Sequence, residues 1–168
     1  MGKAVPKSES DIILIAIEKE KESYALLASA ARASTSPKAR RLYNQLALDE
    51  LRHLLTLVSL MDGLDEACLA QLDLGFPAAK LPDPLPQTED SILRSTMAEE
   101  ERSRQLFIQL AEGVSREELL SLLELLRAEE EDHLARLRSM LYGLEADRPV
   151  VAKWLRSIRR LVPAGYLH

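Results

Sequence analysis

The sequence predicts an all-α protein: a four-helix bundle made of two duplicated helical hairpins joined by a long crossover, with a short fifth helix at the C-terminal end. Three observations predict it. Leu, Ala, Glu and Arg dominate the 168 residues while aromatic residues make up only 4%, a mix that favours helix over strand. Apolar residues recur every three or four positions through four long runs, the period of a helix with one buried face. The two halves also match at an offset of 80 residues: Ile13 with Leu93, Ile17 with Met97, Leu27 with Phe107, Leu46 with Leu126, Leu57 with Leu137 and Gly63 with Gly143. Two copies of one hairpin joined by a long crossover are the simplest arrangement with that property.

The first helix is expected from about Ser10 to Ser34, with Ile13, Ile17, Tyr24, Leu27 and Ala31 as its inward stripe. Thr35-Ser36-Pro37 breaks it, Ser36 suiting an N-cap and Pro37 a first helical turn. The second helix then runs to about Asp62 with Leu42, Leu46, Leu57 and Leu60 inward, and Gly63 stops it. Residues 64–88 carry Gly75-Phe76-Pro77 and Pro82, Pro84 and Pro86, which forbid regular helix over most of the crossover; a short turn fits only near Asp65–Leu72. The third helix is expected from about Glu89 to Glu112, with Leu93, Met97, Phe107 and Ala111 inward. Gly113-Val114-Ser115 ends it, and Ser115-Arg116-Glu117-Glu118 reads as a capping box that opens the fourth helix, which continues to about Tyr142-Gly143. The chain thus divides into a polar tail (1–9), a bundle (10–146, crossover 64–88) and a C-terminal segment (147–168). In that last segment Val151, Trp154, Leu155, Ile158 and Val162 share one side of a helix, opposite Lys153, Arg156, Arg159 and Arg160.

The polar residues that interrupt the apolar stripes repeat with the same offset. Glu20 corresponds to Glu100, Glu50 to Glu130 and His53 to His133. Each half therefore reads Glu, then Glu-x-x-His 30 residues later. Glu20 lies 15 residues before Thr35 and Glu50 lies 15 after it, so antiparallel helices set the two carboxylates at one height. Glu100 and Glu130 flank Ser115 in the same way. Each His sits one turn from its own Glu on the same helix face. Four carboxylates and two imidazoles should then converge in the bundle middle. Buried carboxylates cost several kcal/mol each even after relaxation, and like charges add to that. Two divalent cations would neutralise all four. Oxygen-rich ligation with two imidazoles suits iron or manganese better than copper or structural zinc. Chance is a poor rival: Glu is 18 of 168 residues, so finding one at both −3 and −33 from each internal His has odds of roughly one in ten thousand.

This doubled Glu…Glu-x-x-His pattern resembles the ferritin-like superfamily, and within it the rubrerythrin-type branch. The segments Glu20-Lys-Glu-Ser-Tyr24 and Leu48-Asp-Glu50-Leu-Arg-His53 look like that branch's first and second helices, and the resemblance covers residues 10–144. It implies two iron ions per chain, with manganese or zinc as other divalent occupants. Glu50 and Glu130 would bridge the ions, Glu20 and Glu100 would be terminal carboxylates, and His53 and His133 terminal nitrogen ligands. It implies an oxidoreductase that reduces peroxide or dioxygen, in a homodimer. Rubrerythrins usually add a rubredoxin domain; with none here, electrons would come from an external donor such as a rubredoxin-like protein. Ser103 stands where rubrerythrins usually carry an additional Glu, which leaves a more symmetric ligand set, and Leu27 replaces a usual Tyr. The other readings are an iron oxidation and storage or delivery protein, and a metal-stabilised scaffold without enzymatic activity.

The remaining features narrow the function further. A net charge of −5 argues against nucleic acid as a partner. Cys68 is the one cysteine, which excludes an internal disulfide and a thiolate metal site. No apolar run approaches the 18 or so residues of a membrane span, and the N-terminal stretch is polar, so a cytoplasmic location is expected. Arg104, at the stripe position equivalent to Tyr24, is expected to snorkel to solvent or to pair with Glu101 or Asp132. Tyr24 and Tyr43 read as core residues ahead of a role at the ligands. The fifth helix reads as docking on the bundle or a partner subunit ahead of a membrane-surface contact.

Overall fold

Polar caps and apolar stripes cut the described residues into four helices. A computed structural model describes residues 8–61, 75–77 and 88–142. Helices α1 (Glu9–Ala33), α2 (Pro37–Ser59), α3 (Glu89–Ala111) and α4 (Glu117–Tyr142) form a bundle, and no strand occurs among the described residues. Three helices start on a hydroxyl cap. Ser8 accepts from the Asp11 N–H at 3.1 Å, Ser36 from Ala39 at 3.3 Å and Thr88 from Ser91 at 3.2 Å, each worth about 1 kcal/mol. Pro37 occupies the first turn of α2, as its spacing predicts.

The fourth start differs from the expectation. The Leu120 N–H bonds the Arg116 carbonyl at 3.0 Å, so α4 opens one residue later than a box at Ser115 would place it. Arg116 has no short acceptor side chain to cap with, and its N–H is taken instead by Glu9 at 3.0 Å. The equivalent bond in the other half joins the Ser36 N–H to Glu89 at 3.3 Å. Glu9 and Glu89 are 80 residues apart, as are Arg116 and Ser36, so the first Glu of each hairpin holds the turn of the other. Glu89 also accepts from the Ser34 hydroxyl at 2.9 Å and from the Tyr43 hydroxyl at 3.5 Å.

The core is split in two. Ile12, Ile13 and Ile17 from the start of α1 pack with Leu54 and Leu57 of α2, Phe107 and Leu110 of α3, and Leu119 and Leu123 of α4. At the other end Leu27 and Ala30 pack with Leu42, Leu46, Ile92, Leu93 and Leu137. Starts therefore meet ends at every neighbouring pair (α1 with α2 and α3, α4 with α2 and α3), and all four contacts are antiparallel. The offset of 80 exchanges the two clusters, as a two-fold axis across the bundle would. Since α2 leaves the bundle at the end where α1 begins, and α3 starts at the other end, a long crossover is obligatory. One piece of it is described: Phe76 packs on Tyr24 with ring centroids 4.8 Å apart.

The turn near Asp65–Leu72 with Cys68, the prolines at 82, 84 and 86, the Gly63 and Gly143 stops, the first seven residues and the fifth helix lie outside the described residues. No described helix is long and apolar enough to cross a membrane.

Candidate metal centre

Between the two apolar clusters lies a polar layer. On α1, Glu20 takes the stripe position between Ile17 and Leu27. On α2, Glu50 and His53 lie between Leu46 and Leu57. On α3, Glu100 precedes Phe107 by two turns, and on α4, Glu130 and His133 lie between Leu126 and Leu137. The two carboxylates at 50 and 130 and the one at 100 are 0% exposed, Glu20 is 1%, and the histidines are at most 5%. All six side chains that the pattern predicts are thus inside, and they meet.

Their geometry is doubled. His53 Nδ1 lies 3.4 Å from Glu20 Oε2 and 3.5 Å from Glu50 Oε2. His133 Nδ1 lies 3.0 Å from both Glu100 Oε2 and Glu50 Oε1, and 3.7 Å from Glu130 Oε2. The two imidazoles face one another across the pseudo-axis, centroids 6.0 Å apart and planes 14° from parallel. Two quartets of ligand atoms each fall within 4.8 Å: Glu20, Glu50, His53 and Glu130, and Glu50, Glu100, Glu130 and His133. Glu50 and Glu130 belong to both.

Protein groups alone do not satisfy this layer. Both oxygens of Glu20, Glu50 and Glu130, one of Glu100, and Nδ1 of His53 are buried with no hydrogen-bond partner among the described residues. Glu50 Oε1 lies 3.0 Å from His133 Nδ1, but the hydrogen bond of that nitrogen is with Glu100. Buried orphan oxygens at this density are rare in folded proteins. The titration of the cluster reflects the same stress. Burial, then the Glu50 charge, pushes Glu20 well above the carboxylate range. Burial, then the charges of Glu50 and Glu100, does the same to Glu130. Burial works to raise Glu50 too, but the neighbouring Glu20 carboxyl and the two imidazoles outweigh it and hold Glu50 well below its ordinary value. Burial opposes charge on the histidines, yet Glu20 beside His53 and Asp49 beside His133 raise both. The upward shifts of Glu20, Glu130 and both rings all favour taking up positive charge in this layer. Each quartet, an oxygen-rich donor set with one imidazole, could hold a metal ion.

The outer nitrogens reveal residues that the ligand pattern alone overlooks. His53 Nε2 bonds Glu129 of α4, and His133 Nε2 faces Asp49 of α2 at 3.7 Å. Asp49 and Glu129 are again 80 apart, each directly before the shared Glu of its helix, so the duplication itself carried the signal. A carboxylate on the outer nitrogen fixes ring orientation and turns Nδ1 toward the quartet. On the opposite wall, Lys19 and Glu99 form a buried ion pair and the Ser23 and Ser103 hydroxyls bond at 3.1 Å. Each of these pairs joins residues at the 80 offset, so α1 and α3 meet on the pseudo-axis. Ser103 accordingly faces its own counterpart.

Three other sequence candidates, Arg104, Tyr43 and Tyr24, resolve as surface or core. Arg104 pairs with Glu101 at 2.7 Å; it and Gln105 hold the Glu101 carboxyl down to about 2. Asp132 pairs with Arg136 at 3.7 Å. The Tyr43 hydroxyl reaches Glu89, and burial pushes it up; Tyr24 packs on Phe76. Neither tyrosine bonds a member of the cluster.

No protein-family model matches the chain, and no curated protein matches it. Among solved structures, a hypothetical protein from Pyrococcus furiosus matches with a TM-score of 0.65 and 21% identity, over 88% of this chain and 92% of that one. The likeness is one of fold.

Proposed function

We propose that this chain is a ferritin-like, rubrerythrin-type di-iron protein that reduces peroxide or dioxygen with electrons from a separate donor. The observation that carries the reading is the set of buried oxygens without partners on Glu20, Glu50, Glu100 and Glu130, arranged as two quartets with a shared pair of carboxylates. In this reading Glu50 and Glu130 bridge two ions, Glu20 with His53 completes one position, and Glu100 with His133 completes the other. Two ferrous ions held there would supply the two electrons needed to reduce a small oxidant. The protein supplies four negative charges that neutralise the ions, two rings oriented by Asp49 and Glu129, and an apolar cluster on either side that excludes bulk water.

Elemental analysis of protein made in iron-replete cells should find two metal ions per chain, and Glu50→Ala should remove most of both. Stopped-flow mixing of the ferrous protein with peroxide and with dioxygen should then give an absorbance change with at least one of them. A spectrum unmoved by either oxidant would sink the oxidoreductase reading and leave a scaffold. Native mass separates the storage alternative, which needs a cage of many subunits, from a dimer.

A further inference from the structure

The two quartets are related by the duplication, but their surroundings are not. On the His133 side, Arg136 crosses from α4 to α2, where Nη1 donates to Asp49 Oδ2 at 3.3 Å and Nη2 to the side-chain Oε1 of Gln45 at 3.1 Å. That guanidinium lies over the carboxylate that holds the outer nitrogen of His133. The residue 80 positions away from Arg136 is Thr56, and the one equivalent to Gln45 is Leu125. Thr56 does not reach across; its hydroxyl turns back to the Arg52 carbonyl of its own helix at 2.9 Å. In place of the crossing side chain there is a cleft of about 160 Å³ between α2 and α4, walled by Leu125 and Leu126, with His53 and Glu129 inside, Thr56 at its rim and the Arg52 guanidinium held on Asp49 of its own helix. A cavity needs only about 10–15 Å³ to hold one water, so this one admits a divalent cation with part of its water shell.

We propose that divalent metal ions reach the centre through this α2–α4 cleft at Thr56, and that Arg136 seals the equivalent route on the His133 side. The inference rests on the metal-centre reading and adds to it a direction of access. The cleft is acidic where it narrows: Glu129, still partly exposed, presents its carboxylate there against His53 Nε2. Behind His53 lie Glu20 and Glu50, whose buried oxygens have no partners among the described residues. A cation therefore passes from one exposed carboxylate to increasingly enclosed oxygen ligands. On the other side the Arg136 guanidinium spans the gap between the helices, whereas Arg52 on this side stays paired to Asp49 of its own helix and leaves the gap open.

The test is the rate at which metal-free, full-length protein takes up cobalt(II), followed by its visible absorption after rapid mixing, with final stoichiometry read by elemental analysis. Thr56→Arg rebuilds the plug, with Glu129 in the role that Asp49 has for Arg136. It should slow uptake by at least about tenfold, equivalent to about 1.4 kcal/mol on the barrier, while the final stoichiometry stays at that of the parent. Ser59→Arg adds the same charge outside the cleft and should load at the parental rate. Combining Thr56→Arg with Arg136→Thr should restore fast uptake through the opposite side. If Thr56→Arg fills completely at the parental rate, or if Ser59→Arg is slowed as much, the route is wrong although the centre stands. If the parent protein takes up no cobalt at all, the centre and its route fall together.

Discussion

Replacing Glu130 by leucine should stabilise the metal-free protein and abolish its response to metal. Glu130 is 0% exposed, both of its oxygens lack a hydrogen bond among the described residues, and Glu50 and Glu100 both repel its charge. Leaving one buried polar group unsatisfied costs about 1–3 kcal/mol, and an apolar residue of similar shape removes that cost. For a chain of this size each kcal/mol moves the melting temperature by about 2–4 °C, so metal-free Glu130→Leu should melt some degrees above the metal-free parent. The loaded proteins should rank the other way. An ion present at a hundredfold excess over its dissociation constant adds about 2.7 kcal/mol per site, so two sites give about 5 kcal/mol, and Glu130 takes part in both quartets. Thermal unfolding followed by circular dichroism, with chelator and with iron or cobalt, reads both effects. If the variant is the less stable of the metal-free pair, Glu130 has a protein partner and the reasoning from orphan oxygens is wrong. If it still binds two ions, the shared position is wrong.

Metal-free protein should lose stability as pH rises from about 5 to 8. Glu20 and Glu130 hold protons above the ordinary carboxylate value of 4.5, and the two histidines above 6.5. Their stabilising contribution is complete below those unfolded values and is lost as pH climbs through the folded ones; Glu50, shifted down, gains its contribution below this window. Metal-loaded protein should show the opposite slope, because the ions displace those protons, and parallel slopes in melting experiments at several pH values would contradict the assignment. Asp49→Asn and Glu129→Gln should each weaken metal affinity by about 10–100-fold without unfolding the bundle, since each carboxylate meets a ring at its outer nitrogen and stands outside the two quartets; competition against a chromophoric chelator measures it. Glu89→Ala should cost about 1–3 kcal/mol in chemical unfolding whether or not metal is bound, because far from the centre it strands the Ser36 N–H and leaves the Ser34 hydroxyl only the Ser36 carbonyl.

The architecture and the six-residue cluster were legible because one periodicity lay inside another. Apolar spacing marked the helices, and the offset of 80 picked out which of many glutamates break the buried stripe. Runs of like residues were less transparent. Glu99-Glu100-Glu101 look alike in sequence, but successive residues on a helix point about 100° apart, so Glu99 meets Lys19, Glu100 enters the centre and Glu101 pairs with Arg104 outside. The same divergence sends Glu129 to His53 and Glu131 to Arg127. Asp49 was overlooked for a related reason: its role depends on α2 facing α4, a contact between hairpins that periodicity within one hairpin does not encode. Likewise the start of α4 follows a bond from Glu9, a residue distant in sequence from the turn it holds.

The Lys19–Glu99 pair has a consequence for how the hairpins choose each other. In a symmetric dimer of identical hairpins, a side chain at the axis confronts its own duplicate. Two copies of the first hairpin would oppose ammonium to ammonium there, and two copies of the second would oppose carboxylate to carboxylate. The unlike combination sets a cation against an anion in the buried seam between α1 and α3, so this one pair of positions favours each hairpin meeting its sibling over a copy of itself.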